Sequence, residues 1–167
     1  MQKGSDPLKS RGLTPFANRA WYRRMNAHHK RVVIVAAEFN QELVNAMIEA
    51  AESELRALRA QLVRIVRVTG CYEVPLIVDV HLAAKDVDAV VVLGFIERGE
   101  TLHGEVMGHV VHGALVQLQL QHHKPIGMGI IGPGATVEQA QQRKTTAARA
   151  AVRAAVRNCE LLAESRF

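Results

Sequence analysis

The chain has 167 residues, enough for one domain with its own core, and is 49% hydrophobic but only 4% aromatic. A core made of Val, Ala, Leu and Ile suits a parallel sheet under helices and counts against an aromatic-rich β-sandwich. The net charge of +5 sits in residues 1–30, with seven Lys/Arg and one acid, against 14 basic and 15 acidic residues in the remainder; it is no evidence for a nucleic-acid-binding fold, and no nucleic-acid partner is expected.

Residues 1–30 lack the apolar stretch of a secretory signal. Their Arg-rich, acid-poor composition is also that of an organellar transit peptide, but they are read as a basic, flexible extension. Residues 31–167 are then the single domain. Residues 31–40, RVVIVAAEFN, form an apolar run of strand length closed by polar residues. Residues 41–60 place Leu43, Met47, Ala50, Ala51, Leu55 and Leu58 at helical spacing. LVRIVRV, 62–68, alternates, which predicts a strand with one less buried face or a place near a sheet edge. GCYEVP, 70–75, is a turn, and 76–84 continue as a helix. DAVVVLGF, 88–95, is the third strand. Residues 103–121 form a helix with Met107, Val110, Val111, Ala114 and Leu118 on one face and Leu115 and Val116 beside it. After Pro125, IGMGIIG at 126–132 is the fourth strand. PGAT leads into a long helix from Val137 to Leu162, with Lys144-Thr145-Thr146 a candidate break. No apolar run approaches the roughly 20 residues of a membrane span, so no membrane partner is expected. Cys71 and Cys159 are the only cysteines, which fits a reducing, cytoplasmic setting better than a disulfide framework.

Strand and helix alternate four times, the signature of an α/β domain with a four-stranded parallel sheet and right-handed crossovers. In such a sheet every strand C-terminus lies on one edge, where ligands bind. Four segments reach it: Glu38-Phe39-Asn40, Gly70-Cys71-Tyr72-Glu73, RGETLH at 98–103, and Gly132-Pro133-Gly134-Ala135-Thr136.

RGETLH has the make-up of an anion site. Gly99 permits close backbone approach, and the free N–H groups opening the next helix suit phosphate. Thr101 adds a hydroxyl or caps the helix. His103 would stand beside the anion, where an imidazole can move protons near neutral pH. From spacing alone, an ordinary Thr cap with a surface histidine is the commoner outcome. Arg143, in EQAQQRK, has the reach to pair with a phosphate bidentately, or lies on a solvated face with Arg149, Arg153 and Arg157. Phe39 offers a stacking face or a core side chain. Glu73 offers an acceptor for hydroxyls or a helix cap. His109 and His112, spaced i, i+3, have no Cys or carboxylate cluster to complete a metal site, so no metal is expected. His122 and His123 are expected to be exposed at a helix end.

EFN, GCYEVP, LGFIERGETLHGEV and EQAQQR, in this order, resemble the lumazine synthase family, the penultimate enzymes of riboflavin synthesis. The likeness covers about 31–165. It implies a three-layer α/β/α, flavodoxin-like domain that condenses 5-amino-6-(D-ribitylamino)pyrimidine-2,4-dione with 3,4-dihydroxy-2-butanone 4-phosphate, with no metal and no organic cofactor. His103 matches the proton-transfer histidine. Gly99, Glu100 and Thr101 match the phosphate loop, and Arg143 the arginine that holds the phosphate. Phe39 matches the aromatic stacked on the pyrimidine, with Asn40 beside it. Cys71, Tyr72 and Glu73 match the segment facing the ribityl chain, and Phe95 and Ile96 the strand end lining the ring pocket. Met128 stands where many members have a Phe from the neighbouring subunit. The resemblance also implies pentameric rings, or multiples of them, in which Phe39, Glu73 and His103 meet Met128 and Arg143 of the next chain. The chain departs from the family at Gly104, which follows the histidine where an aromatic is usual, and at Glu97, which replaces an apolar residue. It departs also in a 132–136 loop one residue longer and in the absence of an NKG piece after the arginine. A decayed homologue that forms a shell or binds a flavin is the alternative reading. A phospho-receiver is disfavoured, because Glu38 alone follows the first strand and Gly94-Phe95 stands where an Asp would be needed.

Overall fold

The computed structural model describes residues 29–165. Residues 1–28 of the expected extension lie outside the described residues, as do 166 and 167. The elements run β1 (Arg31–Ala37), α1 (Gln41–Ala57), β2 (Gln61–Val68), a 3-10 turn (Cys71–Glu73), α2 (Val74–Ala83), β3 (Ala89–Glu97), α3 (His103–His122), β4 (Ile126–Ala135) and α4 (Val137–Glu164). All strand pairs are parallel, in the order β2-β1-β3-β4. This is the doubly wound order of flavodoxin-like domains without a fifth strand.

The two inner strands are buried on both faces, so they read as continuous apolar runs rather than alternating ones. Side chains of β1 and β3 still divide between two cores. Val32, Ile34, Val91, Leu93 and Phe95 face α1 and α4. Val33, Val35, Val90, Val92 and Ile96 face α2 and α3. The alternating β2 is indeed an edge strand, and all of its residues but Val68 are half-buried or exposed.

At the other edge, β4 lies unusually close to α4. A Cβ added at Gly127 would collide with the Ala151 carbonyl, and one at Gly129 would lie 2.7 Å from Leu93 Cδ2. Ala148, Ala151 and Ala155 complete this contact from the helix side. α4 opens with a capping box, in which Gln139 N–H donates to Thr136 Oγ1 (3.3 Å) and Thr136 N–H donates to Gln139 Oε1 (3.0 Å). The candidate break at 144–146 does not occur. Thr146 Oγ1 donates to the Arg143 carbonyl (3.0 Å), so its hydroxyl is satisfied within an unbroken helix.

The sheet edge away from the loops is tied by buried polar groups. Asp88 takes the Arg31 backbone N–H (2.8 Å) and its guanidinium (2.9 Å). Lys124 Nζ donates to the Leu82 (2.7 Å) and Ala84 (2.6 Å) carbonyls, capping α2. His122 is not exposed as expected. Its Nε2 lies 2.7 Å from Asp79 Oδ1, because α3 packs along α2 and brings the two together across 43 residues of sequence. His123 is exposed and ends α3 in the left-handed region (φ 50°).

β4 also continues past the expected end at 132. Ala135 pairs with Glu97, and Arg98 N–H donates to the Ala135 carbonyl (2.9 Å). Residues 132–134 bulge out between these pairings, with Gly132 at φ 101° and Gly134 at φ 87°.

Candidate active site

The loops after β1, β2 and β3 enclose a cavity of about 360 Å³ at the strand C-termini. Phe39, Thr69, Gly70 and Cys71 line it from the first two strands, and Phe95, Ile96 and Glu97 from the third. Gly99, Thr101, His103, Gly104 and Met107 close it from the RGETLH loop and the first turn of α3.

Each position has a local cause. Phe39 is 50% exposed, and its ring lies 6.3 Å from the buried Phe95 ring at 35°. It is therefore an open aromatic face, not a core side chain. The next residue, Asn40, adopts the left-handed conformation (φ 57°), which Asn tolerates better than most residues, and starts α1 without a side-chain cap bond. Asn40 does not line the cavity; it turns the chain so that Phe39 does.

His103 is the first residue of α3. Its backbone N–H donates to Thr101 Oγ1 at 3.4 Å, so Thr101 partly caps the helix and also faces the cavity. Tyr72 stands edge-on to the His103 ring, with centroids 5.9 Å apart. Tyr72, Glu73 and Glu100 are exposed around the mouth and do not line the cavity itself. Glu73 makes no side-chain cap bond, so it is not the helix cap that its position also allowed. Cys71 is buried in the wall, 4.0 Å from the Phe95 carbonyl. Burial, and then the Glu73 charge, push its thiol up to about 11, so it is a neutral wall and not a nucleophile near pH 7.

Met128 and Arg143 are elsewhere. They line a second cavity of about 550 Å³ between β4 and α4, together with Gln139, Gln142 and the 132–135 loop. No residue is shared between the two cavities. His103 and Arg143 of one chain therefore belong to different surfaces. The loops between them are joined, since Arg98 is tied to Ala135 and a Cβ on Gly108 would lie 2.6 Å from Pro133 Cδ.

Among the described residues, no three His, Cys, Asp or Glu converge as metal ligands. His109 and His112 each turn Nδ1 to the carbonyl of the residue four earlier, Glu105 and Gly108, at 2.8 Å. No described helix is long and apolar enough to cross a membrane.

Thr69, Met107, Gln139 and Gln142 were not singled out from the sequence. Thr69 directly follows β2 at the ligand edge, and Met107 follows His103 by one helical turn, so both had a positional signal. Gln139 had only its place one helical turn before Arg143, and Gln142 only its place next to it.

The fold defines a small doubly wound α/β protein whose cavity lies beyond the strand C-termini, lined by an open aromatic ring and a helix-end histidine. The family model for 6,7-dimethyl-8-ribityllumazine synthase matches residues 29–163. A protein of Metallosphaera sedula named 6,7-dimethyl-8-ribityllumazine synthase is 41% identical over 124 residues, covering 74% of this chain and 82% of its own. Like-named proteins of Staphylothermus marinus (41%; 74% of this chain and 83% of the relative) and Aeropyrum pernix (40%; 76% and 87%) are similar to the same degree. The chain belongs to the 6,7-dimethyl-8-ribityllumazine synthase family.

Proposed function

We propose that the chain condenses 5-amino-6-(D-ribitylamino)pyrimidine-2,4-dione with 3,4-dihydroxy-2-butanone 4-phosphate, giving 6,7-dimethyl-8-ribityllumazine with release of phosphate and water. One observation carries the roles: an exposed aromatic face, a threonine–glycine loop and a helix-end histidine meet in one cavity of substrate size. The Phe39 ring, backed by Phe95, stacks on the pyrimidine. Cys71 and Ile96 wall the ring pocket. Tyr72 and Glu73, at the mouth, face the ribityl hydroxyls, with Asn40 holding the turn. Gly99, Glu100 and Thr101 receive the phosphate at the start of α3.

Amine attack on the ketone, loss of water and loss of phosphate each need a proton moved, and His103 is the imidazole within reach of that chemistry. The departing phosphate dianion needs fixed positive charge. The cavity holds no Lys or Arg among the described residues. The cation is Arg143 of a neighbouring chain, with Met128 beside it against the ring, and each site is completed at a subunit interface. Support for an assembly, a pentamer or a multiple of one, comes from the apolar face left open on α3. Leu102, Val106, Val110, Val116 and Leu120 are all exposed there, at roughly helical spacing. The enzyme works in the cytoplasm. No observation favours a decayed homologue.

The test is direct. The full chain mixed with both substrates is expected to form a fluorescent lumazine and one equivalent of phosphate. A correctly assembled protein that forms neither would overturn the proposal.

A further inference from the structure

We propose that the Glu97 carboxylate sorts the two substrates: it accepts hydrogen bonds from the N–H and O–H donors of the pyrimidine, and by its charge it keeps the phosphate compound out of the ring pocket. The inference rests on the functional reading above and deepens it.

Glu97 ends the central strand, where every residue from Ala89 to Ile96 is buried and Glu97 alone is exposed. It lines the cavity. Strand alternation puts it on the face of Phe95, against which Phe39 lies. The rest of that wall is apolar or neutral: Phe39, Cys71, Phe95, Ile96 and Met107. Among the lining residues Glu97 brings the single carboxylate and His103 the single imidazole.

Several other carboxylates are engaged. Asp88 is held by Arg31, Glu54 by Arg153, Asp79 by His122, and Glu160 and Glu164 by Arg157. Glu97 has no hydrogen bond or ion pair from its side chain among the described residues. Its acceptors are open to a ligand. Its backbone, by contrast, is fixed from two sides. It pairs with Ala135, and the first turn of α3 presses so close that a Cβ on Gly104 would lie 3.0 Å from the Glu97 carbonyl. An acceptor on a rigid strand end is preorganised, so little ordering is lost on binding.

The chemistry of the two substrates makes the charge discriminating. The aminopyrimidinedione is uncharged and rich in donors; the ketone carries a phosphate. A carboxylate attracts the first and repels the second, so specificity comes from an attractive and a repulsive element in one group. It also leaves a lone chain's cavity with no attraction for phosphate except at the α3 start, which makes the neighbour's Arg143 decisive.

The test compares the assembled wild type with Glu97→Gln and Glu97→Leu. Gln keeps an acceptor and loses the charge; Leu loses both. The KM for the pyrimidine is expected to rise about tenfold in Glu97→Leu and less in Glu97→Gln, with kcat changed less than about threefold. Inhibition by inorganic phosphate is expected to strengthen in both. Calorimetric titration with the pyrimidine alone should give the same tenfold loss for Glu97→Leu. An unchanged pyrimidine affinity in both variants, or an equal loss for both substrates, would overturn the inference while leaving the functional reading intact. A wild type that makes no lumazine would overturn both.

Discussion

His103 draws its meaning from the groups placed around it. It starts a helix, its N–H rests on Thr101, and Tyr72 stands at its ring edge. His103→Ala should leave assembly intact and slow condensation by about 10²–10⁴-fold, the usual share of a general acid–base group. Single-turnover rates on assembled protein check this, and near-normal turnover would remove the role. Arg143→Ala should weaken use of the butanone phosphate more than binding of the pyrimidine, because a guanidinium of this kind holds phosphate alone. Separate titrations of the two substrates decide it, and equal losses would point to a structural role. Cys71 supplies a pH test. Burial, with Glu73, holds its thiol up to about 11 against an ordinary 9.0. The thiolate is the reactive form and is scarcer in the folded chain at every pH below that value. Alkylation at pH 8 should therefore run about a hundredfold slower than for a free thiol and speed up as pH climbs toward 11. Rapid labelling of Cys71 in native protein at pH 8 would contradict that environment.

At the scale of elements, the contact between β4 and α4 is the most demanding. Gly127 is required by space: α4 runs so close to β4 that any Cβ meets the Ala151 carbonyl. Backbone cannot give way as a flexible side chain can. Gly127→Ala should cost about 2–3 kcal/mol or more in urea unfolding, at the upper end for overpacking. Gly113→Ala, where nothing lies within 4 Å, should be neutral or slightly stabilising within a helix. If the two variants unfolded at the same midpoint, the close approach would be wrong. The contact also sets where α4 presents Arg143, Gln142 and Gln139 along the second cavity.

On the scale of the whole molecule, one chain carries two unlike cavities. The cavity with His103 opens beyond β1, β2 and β3, and the cavity with Arg143 lies against β4 and α4. If neighbours in a ring complete each other's sites, an inactive His103→Ala chain and an inactive Arg143→Ala chain should regain a fraction of wild-type activity when co-assembled. Some interfaces would then pair two intact halves. Light scattering should give a particle of at least five subunits, with the open α3 face buried in it. No recovery in proven mixed particles would mean that each site lies within one subunit.

The sequence by itself carried the layered parallel sheet, its ligand edge, the edge position of β2 and the family. These follow from local pattern: alternation, continuous apolar runs and glycine-marked turns report how each segment is buried, and the motifs keep their order along the chain. It also carried Phe39, Gly99, Thr101 and His103 as one group, because parallel topology brings all strand C-termini to one edge whatever the packing details. Tertiary structure alone decided the rest. The His122–Asp79 pair joins residues 43 apart, and nothing in either segment marks it. The continuity of α4 through Lys144-Thr145-Thr146 was settled by the helix's packing on β4, which outweighs weak local propensity. The division into two cavities, the extension of β4 to Ala135 and the placing of Glu97 in the cavity wall depend on how closely crossovers approach one another. That distance is fixed by side-chain volumes meeting across elements, glycine against alanine at β4 and α4 and Gly108 against Pro133, and no periodicity within a single segment records it.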